Sequence, residues 1–252
     1  MILAIDIGNT TTSFGIFEEG KMKSQFAIAT QPWRTADEIT LQLKALATSR
    51  RLHLRHARQI MICSVVPRMT AVLTEALKSL DAIPVRVVGQ DLQVPLKNKY
   101  AYPEQVGQDR LVGAYAAWKA FNSPCIVADF GTAITIDVVS KAGEYLGGII
   151  APGLDISLEA LASRTALLPK VDLKEPPELL GRDTANSIRS GVLNGCVALT
   201  DGLAAQLRTK YAPKATVVAT GGASTLVAKH AKSINHVRPN LVLDGLYELS
   251  EK

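Results

Sequence analysis

Short apolar runs and amphipathic stretches alternate along the whole chain. Residues 2–7 and 13–17 are apolar runs separated by a polar turn, which predicts a β-hairpin at the start of the sequence. Apolar runs at residues 60–66, 85–88 and 215–220 predict further buried strands. Strands that alternate with helices indicate an α/β fold. The predicted helices are one that follows a capping box at Thr35–Glu38, and others over residues 72–80, 109–121, 186–210 and 223–232.

The opening hairpin pattern occurs a second time. The run "CIVADFGTAITIDVV" at residues 125–139 repeats the order of apolar run, Asp, Gly, polar residues and apolar run found in residues 1–17. Asp6 aligns with Asp129, an offset of 123 residues that is close to half of the 252-residue chain. Such self-similarity predicts two similar halves. The other aligned pairs are Gly8 with Gly131 and Asn9 with Thr132, and the predicted domains are residues 1–122 and 123–252.

The stretch Asp6-Ile7-Gly8-Asn9-Thr10 interrupts a strand that is otherwise suited to burial. Gly8 lets a bulky anion approach the backbone, and the polar side chains after it are neutral donors for a phosphate. A carboxylate at Asp6 would repel phosphate but can hold a hydrated Mg²⁺ that bridges phosphates. The pattern therefore favours a nucleotide phosphate-and-metal turn. The alternative is an ordinary hairpin turn in which Asn9 and Gly8 supply positive φ.

The nucleotide hypothesis depends on the paired hairpins, because the sequence has neither a P-loop motif nor a Gly-x-Gly-x-x-Gly after a strand. Two hairpins that face each other across a cleft can grip one polyphosphate. A third element is "VVATGGAS" at residues 217–224. Its Gly-Gly turn is suited to an adenine or ribose against bare backbone, and the alternative is a glycine helix cap.

A second group of polar residues lies at the start of the helix predicted for residues 109–121. This helix follows a long loop at residues 91–108. A loop of that length in a compact domain indicates function. Asp109 lies at or near the helix N-cap, and it is either a structural cap or a general base for a substrate hydroxyl. Arg110 is either a solvated charge or a bidentate ligand for a carboxylate on the acceptor.

Composition and charge further narrow the classes of protein that the sequence can represent. A hydrophobic fraction of 47% supports a sizeable core, and an aromatic fraction of 5% argues against a stacking surface for single-stranded nucleic acid. The net charge of +5 favours anionic partners, but the basic residues are scattered, and the densest run, residues 50–56, predicts a solvated loop or helix end. Three widely spaced cysteines predict no disulfide or zinc site. With no signal peptide or membrane-spanning run, we expect a soluble cytoplasmic protein.

The motifs, in their order along the chain, resemble a known family. The paired Asp-x-Gly hairpins and the late Thr-Gly-Gly are similar to those of the acetate and sugar kinase, Hsp70 and actin superfamily. Within it, "DIGNTTTSFGIF", "YAYPEQVGQDR", "VADFGTAITIDVV", "GGIIAPG", "GRDTANSIRSG" and "TGGAS" resemble the type III pantothenate kinases. The resemblance covers nearly the whole chain, and the order and spacing of the motifs are more specific than any one of them.

The resemblance implies two ribonuclease H-like, actin-like domains from an internal duplication, with a nucleotide cleft between them. It implies an enzyme that uses Mg²⁺-ATP to phosphorylate the primary hydroxyl of pantothenate, activated by K⁺ or NH₄⁺ at Asp129, and active as a homodimer with the substrate pocket near the subunit interface. Asp109 is the implied proton acceptor. The implied ATP contacts are Asp6, Ile7, Gly8, Asn9, Thr10, Thr11, Thr12, Ser13 and Thr132, and the implied acceptor contacts are Tyr100, Gly107, Gln108, Asp109, Arg110 and Thr184.

Two departures from the family pattern affect this interpretation. Gln108 stands where the family often has alanine or another small apolar residue, and no Lys closely follows the first turn. Phosphate charge would then be met by Mg²⁺ and neutral donors. Two other hypotheses remain: a kinase of the same superfamily for another small hydroxylated acceptor, and a non-enzymatic regulator that binds nucleotide. The scattered basic residues and the lack of a helix-turn-helix signal count against a DNA-binding role.

Overall fold

The computed structural model describes residues 1–52, 56–80 and 83–252. The strands are β1 (Ile2–Ile7), β2 (Thr11–Glu18), β3 (Lys21–Ala29), β4 (Gln59–Ser64), β5 (Val85–Val87), β6 (Lys97–Asn98), β7 (Cys125–Phe130), β8 (Ala133–Val139), β9 (Glu144–Pro152), β10 (Thr216–Thr220) and β11 (His236–Val237). The helices are α1 (Ala36–Ser49), α2 (Pro67–Leu80), α3 (Gln108–Phe121), α4 (Leu154–Arg164), α5 (Thr184–Lys210), α6 (Ser224–Ala228) and α7 (Leu241–Ser250).

The chain forms two compact units, each built from segments that are separate in sequence. The first contains residues 1–95, 104–116 and 242–252, and the second contains residues 96–103 and 117–241. The predicted boundary after residue 122 is simpler than this division and stays a prediction. In the part of the chain that the structure describes, no helix is long and apolar enough to cross a membrane.

The first unit is a five-stranded sheet in the order β3-β2-β1-β4-β5. Strands β1, β2 and β3 are antiparallel neighbours, while β4 and β5 run parallel to β1. Alternate residues of β1, such as Ile5 and Ile7, point into a core shared with α1 and α2. Phe14 and Phe26 stack in the same core with ring centroids 4.6 Å apart. The apolar periodicity of the sequence therefore produces a buried sheet face, as predicted.

The second unit is a six-stranded sheet in the order β11-β10-β7-β8-β9-β6. Its core lies between the sheet and the helices α4, α5 and α6, and includes Phe130, Ile136, Leu193 and Val217. Strands β7, β8 and β9 are antiparallel, and β10 and β11 continue parallel to β7. When the two-residue edge strand β6 is left out and the order is read from the other end, β9-β8-β7-β10-β11 matches β3-β2-β1-β4-β5 of the first unit strand for strand. The duplicated α/β fold predicted from the sequence is confirmed.

Several predicted elements are confirmed and others were missed. The Thr35 capping box is present, because the Thr35 and Glu38 side chains each bond the other residue's backbone N–H. The predicted helix at residues 223–232 is shorter than expected and spans only Ser224–Ala228. The sequence analysis did not predict β3, α4 or α7. Of the basic run at residues 50–56, Arg50 caps the end of α1, and residues 53–55 lie outside the described residues.

Candidate functional site

The first hairpin turn is held by the backbone of its own ends. The Gly8 N–H donates to Thr11 O at 3.0 Å, and a Cβ on Gly8 would lie 3.2 Å from the same oxygen. Neither Gly8 nor Asn9 has positive φ, so the alternative of an ordinary turn with left-handed Asn and Gly is wrong. Asn9, Thr10 and Thr11 are exposed. The turn therefore presents polar groups to solvent without needing left-handed backbone.

A threonine pair supports this turn from inside. Thr12 is fully buried, and its hydroxyl bonds the Thr30 hydroxyl at 2.9 Å. Thr30 in turn donates from Oγ1 to Gly8 O at 2.8 Å, and its N–H donates to Thr10 O at 2.9 Å. Buried hydroxyls that are bonded in this way fix a backbone at little cost. Thr12 thus holds the turn in place, and Thr30 is a supporting residue that the sequence did not single out.

Two predicted functional carboxylates of the first unit lie near one buried thiol. Asp6 on β1 is the register partner of Cys63 on β4. Burial raises the pKa of the Cys63 thiol well above its ordinary value, and the charges of Asp6 and Asp109 raise it further. Cys63 is therefore neutral at physiological pH. A Cβ on Gly107 would meet Asp109 Oδ1 and would lie 3.6 Å from Val65 Cγ1, and the Val65 N–H donates to Ile7 O, beside Asp6. The metal candidate and the proton-acceptor candidate therefore lie at the same end of the sheet.

Helix α3 starts at Gln108, and its first turn fixes the Asp109 carboxylate. Asp109 Oδ1 accepts a hydrogen bond from the Arg110 N–H at 2.8 Å, and Gly107 O accepts from the Leu111 N–H at 3.3 Å. A Cβ on Gly107 would collide with Asp109 Oδ1. The Asp109 carboxylate therefore occupies the space that a side chain at position 107 would fill, so only glycine fits there. Gly107, Asp109 and Arg110 are all half-buried, so a ligand can reach them.

Gln108 packs against a second glycine of the same unit. Gly89 follows β5, has a φ of +87°, and a Cβ on it would lie 2.9 Å from Gln108 Cδ. The Gln108 Oε1 atom is buried and has no hydrogen-bond partner among the described residues. The amide in place of the family's small apolar residue is thus accommodated by the bare backbone at Gly89.

The second hairpin turn is surrounded by glycine backbone. The Gly131 N–H donates to Ala133 O at 3.2 Å, as Gly8 does in the first turn. A Cβ on Gly153, just before α4, would lie 2.6 Å from Gly131 O and would collide with Thr132 O. At Gly221, where φ is +86°, a Cβ would collide with Asp129 Oδ1. Asp129 and the exposed Thr132 are therefore approached closely by two other loops of the second unit.

Tyr100 and Thr184, the other predicted acceptor contacts, occupy different parts of the second unit. The Tyr100 ring lies over Gly147, where a Cβ would be 3.7 Å from the ring carbons Cδ2 and Cε2. Thr184 is the first residue of α5, after Asp183 as N-cap. The Asn186 N–H and side-chain amide donate to Asp183 and lower the pKa of that carboxyl. Thr184 lines an apolar groove of about 770 Å³ between α4 and α5.

The donor atoms present are suited to hard cations. In the described residues, no group of three or more His, Cys, Asp or Glu is placed to hold a metal ion. Asp6 and Asp129 each supply one carboxylate beside a glycine turn, and Gly131 and Thr132 bring their carbonyl oxygens close to Gly153. Mg²⁺ and alkali cations prefer oxygen ligands, and Mg²⁺ is commonly bound by one or two carboxylates plus substrate phosphates. The residues therefore fit the predicted cations, provided that a nucleotide supplies further oxygens.

Solved structures of other proteins share the fold of this chain. A Campylobacter jejuni protein described as a Baf family transcriptional activator superposes with a TM-score of 0.59 at 18% identity, covering 99% of this chain and 97% of that chain. A Sinorhizobium meliloti protein described as a 2-dehydro-3-deoxygalactonokinase gives a TM-score of 0.58 at 15% identity, covering 100% and 98%. These likenesses establish the fold alone, which is the duplicated α/β fold of sugar kinases and actin-like proteins.

Sequence comparison then gives the family. The family model of type III pantothenate kinases matches residues 2–206. A type III pantothenate kinase from Moorella thermoacetica is 39% identical over 253 residues, covering 100% of this chain and 99% of the relative. One from Rubrobacter xylanophilus is 39% identical over 255 residues, covering 99% and 97%. This chain belongs to the type III pantothenate kinase family, which confirms the resemblance, and it is a kinase, a phosphotransferase.

Replacement of Gly107 by Ala is expected to reduce turnover without unfolding the protein. The new methyl group must displace the Asp109 carboxylate, and a displacement of about 1 Å can cost about a hundredfold in rate. We expect kcat to fall by about that factor, while the melting temperature stays near that of the wild type because the collision is with the end of one side chain and not with backbone.

The matched control is Gly113→Ala within α3, where the added methyl would meet only Val242 Cγ2 at 3.8 Å. This variant is expected to keep wild-type turnover. Equal turnover in both alanine variants would show that the Asp109 position set by Gly107 is unimportant.

Proposed function

We propose that this protein transfers the γ-phosphoryl group of ATP to the primary hydroxyl of pantothenate, giving 4'-phosphopantothenate in the first step of coenzyme A biosynthesis. The observation that carries the proposal is its membership of the type III pantothenate kinase family along its whole length. The positions of the predicted residues support it, because Asp109 and the phosphate-turn carboxylate Asp6 lie at the same end of the first unit's sheet.

In this proposal Asp109 is the catalytic base. Its carboxylate positions the acceptor hydroxyl in line with the γ-phosphorus and accepts the hydroxyl proton as the new O–P bond forms. The bond between the γ-phosphorus and the β,γ-bridging oxygen breaks, and ADP leaves with that electron pair. Most of the rate enhancement comes from positioning and charge stabilisation, as phosphoryl transfer generally requires. The Arg110 N–H, which bonds Asp109 Oδ1, keeps the base in place.

The turns of the two hairpins carry the proposed nucleotide contacts. The exposed residues Asn9, Thr10 and Thr11 donate to phosphate oxygens beside Gly8, and Thr132 makes a second nucleotide contact. Asp6 would hold Mg²⁺ through water, and Asp129 would hold K⁺ or NH₄⁺. When bound, these cations would neutralise charge on the phosphate oxygens. Ile7 and Thr12, which are buried, and Ser13 at the start of the second strand would support the turn from the sheet.

The proposed acceptor contacts are those that the family resemblance implies. Gly107, Gln108 and Arg110 lie beside Asp109, and Arg110 would bind the pantothenate carboxylate. Tyr100 and Thr184 complete the proposed set. Three buried cysteines, none of them in a disulfide, support the proposed cytoplasmic location, where thiols stay reduced.

A second copy of this chain is the proposed occupant of the apolar groove between α4 and α5. Gly191 and Gly195 line the groove, and a Cβ on either would meet nothing within 4 Å. Leu179 and Leu180, whose segment contacts α5 through Ser190, are 75% and 74% exposed. Large exposed apolar patches indicate protein interfaces. Thr184 lines the same groove, so the proposed acceptor pocket would lie near the dimer interface.

The proposal is tested by ADP release from ATP with and without pantothenate, in potassium, ammonium and then sodium buffers. We expect pantothenate-dependent ADP release that requires Mg²⁺ and is strongest in potassium or ammonium. A panel of other small hydroxylated acceptors distinguishes the alternative kinase. Nucleotide binding without ADP release, with any acceptor, would favour the regulator and contradict the proposal.

Replacement of Asp109 by Asn is expected to reduce kcat by about a hundredfold to ten-thousandfold, the usual contribution of general acid–base catalysis. Asparagine keeps the shape and the hydrogen bond from the Arg110 N–H, so the KM for pantothenate should change little. Initial-rate kinetics measure both constants. A kcat close to that of the wild type would refute the role of Asp109 as base.

Replacement of Gly195 by Glu is expected to convert the dimer to a monomer without unfolding it. The side chain has open space in the single chain, but it would place a charge in the groove that the second copy occupies. Light scattering after size exclusion should give twice the 27.0 kDa chain mass for the wild type and the chain mass for the variant. Gly202→Glu is the control, because Gly202 also faces open space on α5 but does not line the groove. A monomeric wild type would contradict the dimer proposal.

A further inference from the structure

A buried carboxylate of the second unit has no part in the proposed reaction. Asp137 on β8 is 1% exposed. Its Oδ1 accepts a hydrogen bond from the Tyr145 hydroxyl at 2.6 Å, and its Oδ2 accepts one from the Thr135 hydroxyl at 3.2 Å. Burial of a charge is costly unless hydrogen bonds compensate it. The short Tyr145 bond is of the strong, charge-assisted kind, so Asp137 fixes the Tyr145 side chain.

Tyr145 also holds the edge of the sheet that carries Tyr100. Tyr145 is fully buried on β9, where it pairs in register with Asn98 of the edge strand β6. The Tyr145 carbonyl accepts a hydrogen bond from the Lys99 N–H at 2.9 Å. Strand β6 has only two residues, and such a short edge strand depends on its neighbour for order. The segment before Tyr100 is therefore fixed by β9.

The Tyr100 ring itself rests on β9. Its centroid lies 6.4 Å from that of the Tyr145 ring, with the planes tilted by 49°. The Tyr100 ring also covers Gly147, whose missing side chain leaves room for it. The Tyr100 N–H donates to Asn98 Oδ1 at 2.9 Å. Both the backbone and the ring of Tyr100 thus take their positions from the strand that Asp137 anchors.

We propose that Asp137 and Tyr145 are positioning residues for the acceptor site, and that they act by holding Tyr100 against strand β9. This inference rests on the proposed function, in which Tyr100 contacts pantothenate. Neither residue touches a reacting atom. The pair governs the affinity for the acceptor, and the chemical step and the ATP site do not depend on it.

The test is Tyr145→Phe, which keeps the ring and removes the hydroxyl that bonds Asp137. The KM for pantothenate is expected to rise about fivefold, the effect of losing roughly one net hydrogen bond. The kcat and the KM for ATP should stay at their wild-type values. Asp137→Asn retains an oxygen that accepts from the Tyr145 hydroxyl, and it is expected to keep the wild-type KM for pantothenate.

The matched control is Thr200→Val, which removes another buried hydroxyl of the second unit, one that donates to Cys196 O within α5. It is expected to lower stability by a similar amount, but its hydrogen bond lies within α5 and does not involve β6 or β9, so the KM for pantothenate should not change. If Tyr145→Phe does not fold because Asp137 loses a partner, the double variant Tyr145→Phe/Asp137→Asn removes the buried charge as well and should show the same rise in KM.

Hydrogen exchange gives a second measurement that needs no substrate. The Lys97 and Lys99 N–H groups bond Gly143 O and Tyr145 O, and their exchange should be faster in Tyr145→Phe but not in Thr200→Val. Unchanged exchange at both amides, or an unchanged KM for pantothenate, overturns the positioning role. A wild-type protein that does not phosphorylate pantothenate would instead overturn the proposed function, and the exchange result would still decide whether Tyr145 orders β6.

Discussion

A carboxylate has to be accommodated near the end of a central, largely buried strand, and this chain meets that constraint twice. Asp6 and Asp129 each lie one residue before the end of the strand that forms the middle of its sheet. A charge in such a position is costly unless bare backbone, hydrogen-bond donors or cations surround it. Glycines therefore gather at both places: Gly8 follows Asp6, and Gly131 and Gly221 lie against Asp129. The turns, their supports and the close approach of neighbouring loops all follow from this placement.

The first unit has a third carboxylate, Asp109, which lies on a helix and not on a strand. Its position depends on the missing side chain of Gly107 and on a hydrogen bond from one backbone N–H. The neutral thiol of Cys63 lies near both Asp6 and Asp109. A neutral thiol adds no further negative charge beside the two carboxylates at this end of the sheet.

Much of this architecture could be predicted from the sequence, since the hairpin copies combine strong periodicity with an unusual polar interruption. Strand β3 was missed because its first residues carry a weak apolar signal. Lys21 to Gln25 are mostly charged or polar, and they alternate between exposed and half-buried positions at a sheet edge. The contacts of Gly153 with the 131–132 turn could not be predicted, because they join residues about twenty positions apart through a β-hairpin and its register. The Cys63 environment was also hidden, because its charged neighbours Asp6 and Asp109 come from two other segments, β1 and α3.

The two hairpins have diverged in a way that fits a division of roles. Register pairs Ile7 with Thr12 in the first and Phe130 with Ile134 in the second, so the first loop is one residue longer. The longer loop exposes amide and hydroxyl side chains, which suit an anion. The shorter loop instead brings carbonyl oxygens and a carboxylate against Gly153 and Gly221, and such oxygens suit a cation. Under the proposed function, the first copy of the turn would mainly serve phosphate and the second would mainly serve a cation, while Asp6 would add a Mg²⁺ contact in the first copy and Thr132 a nucleotide contact in the second.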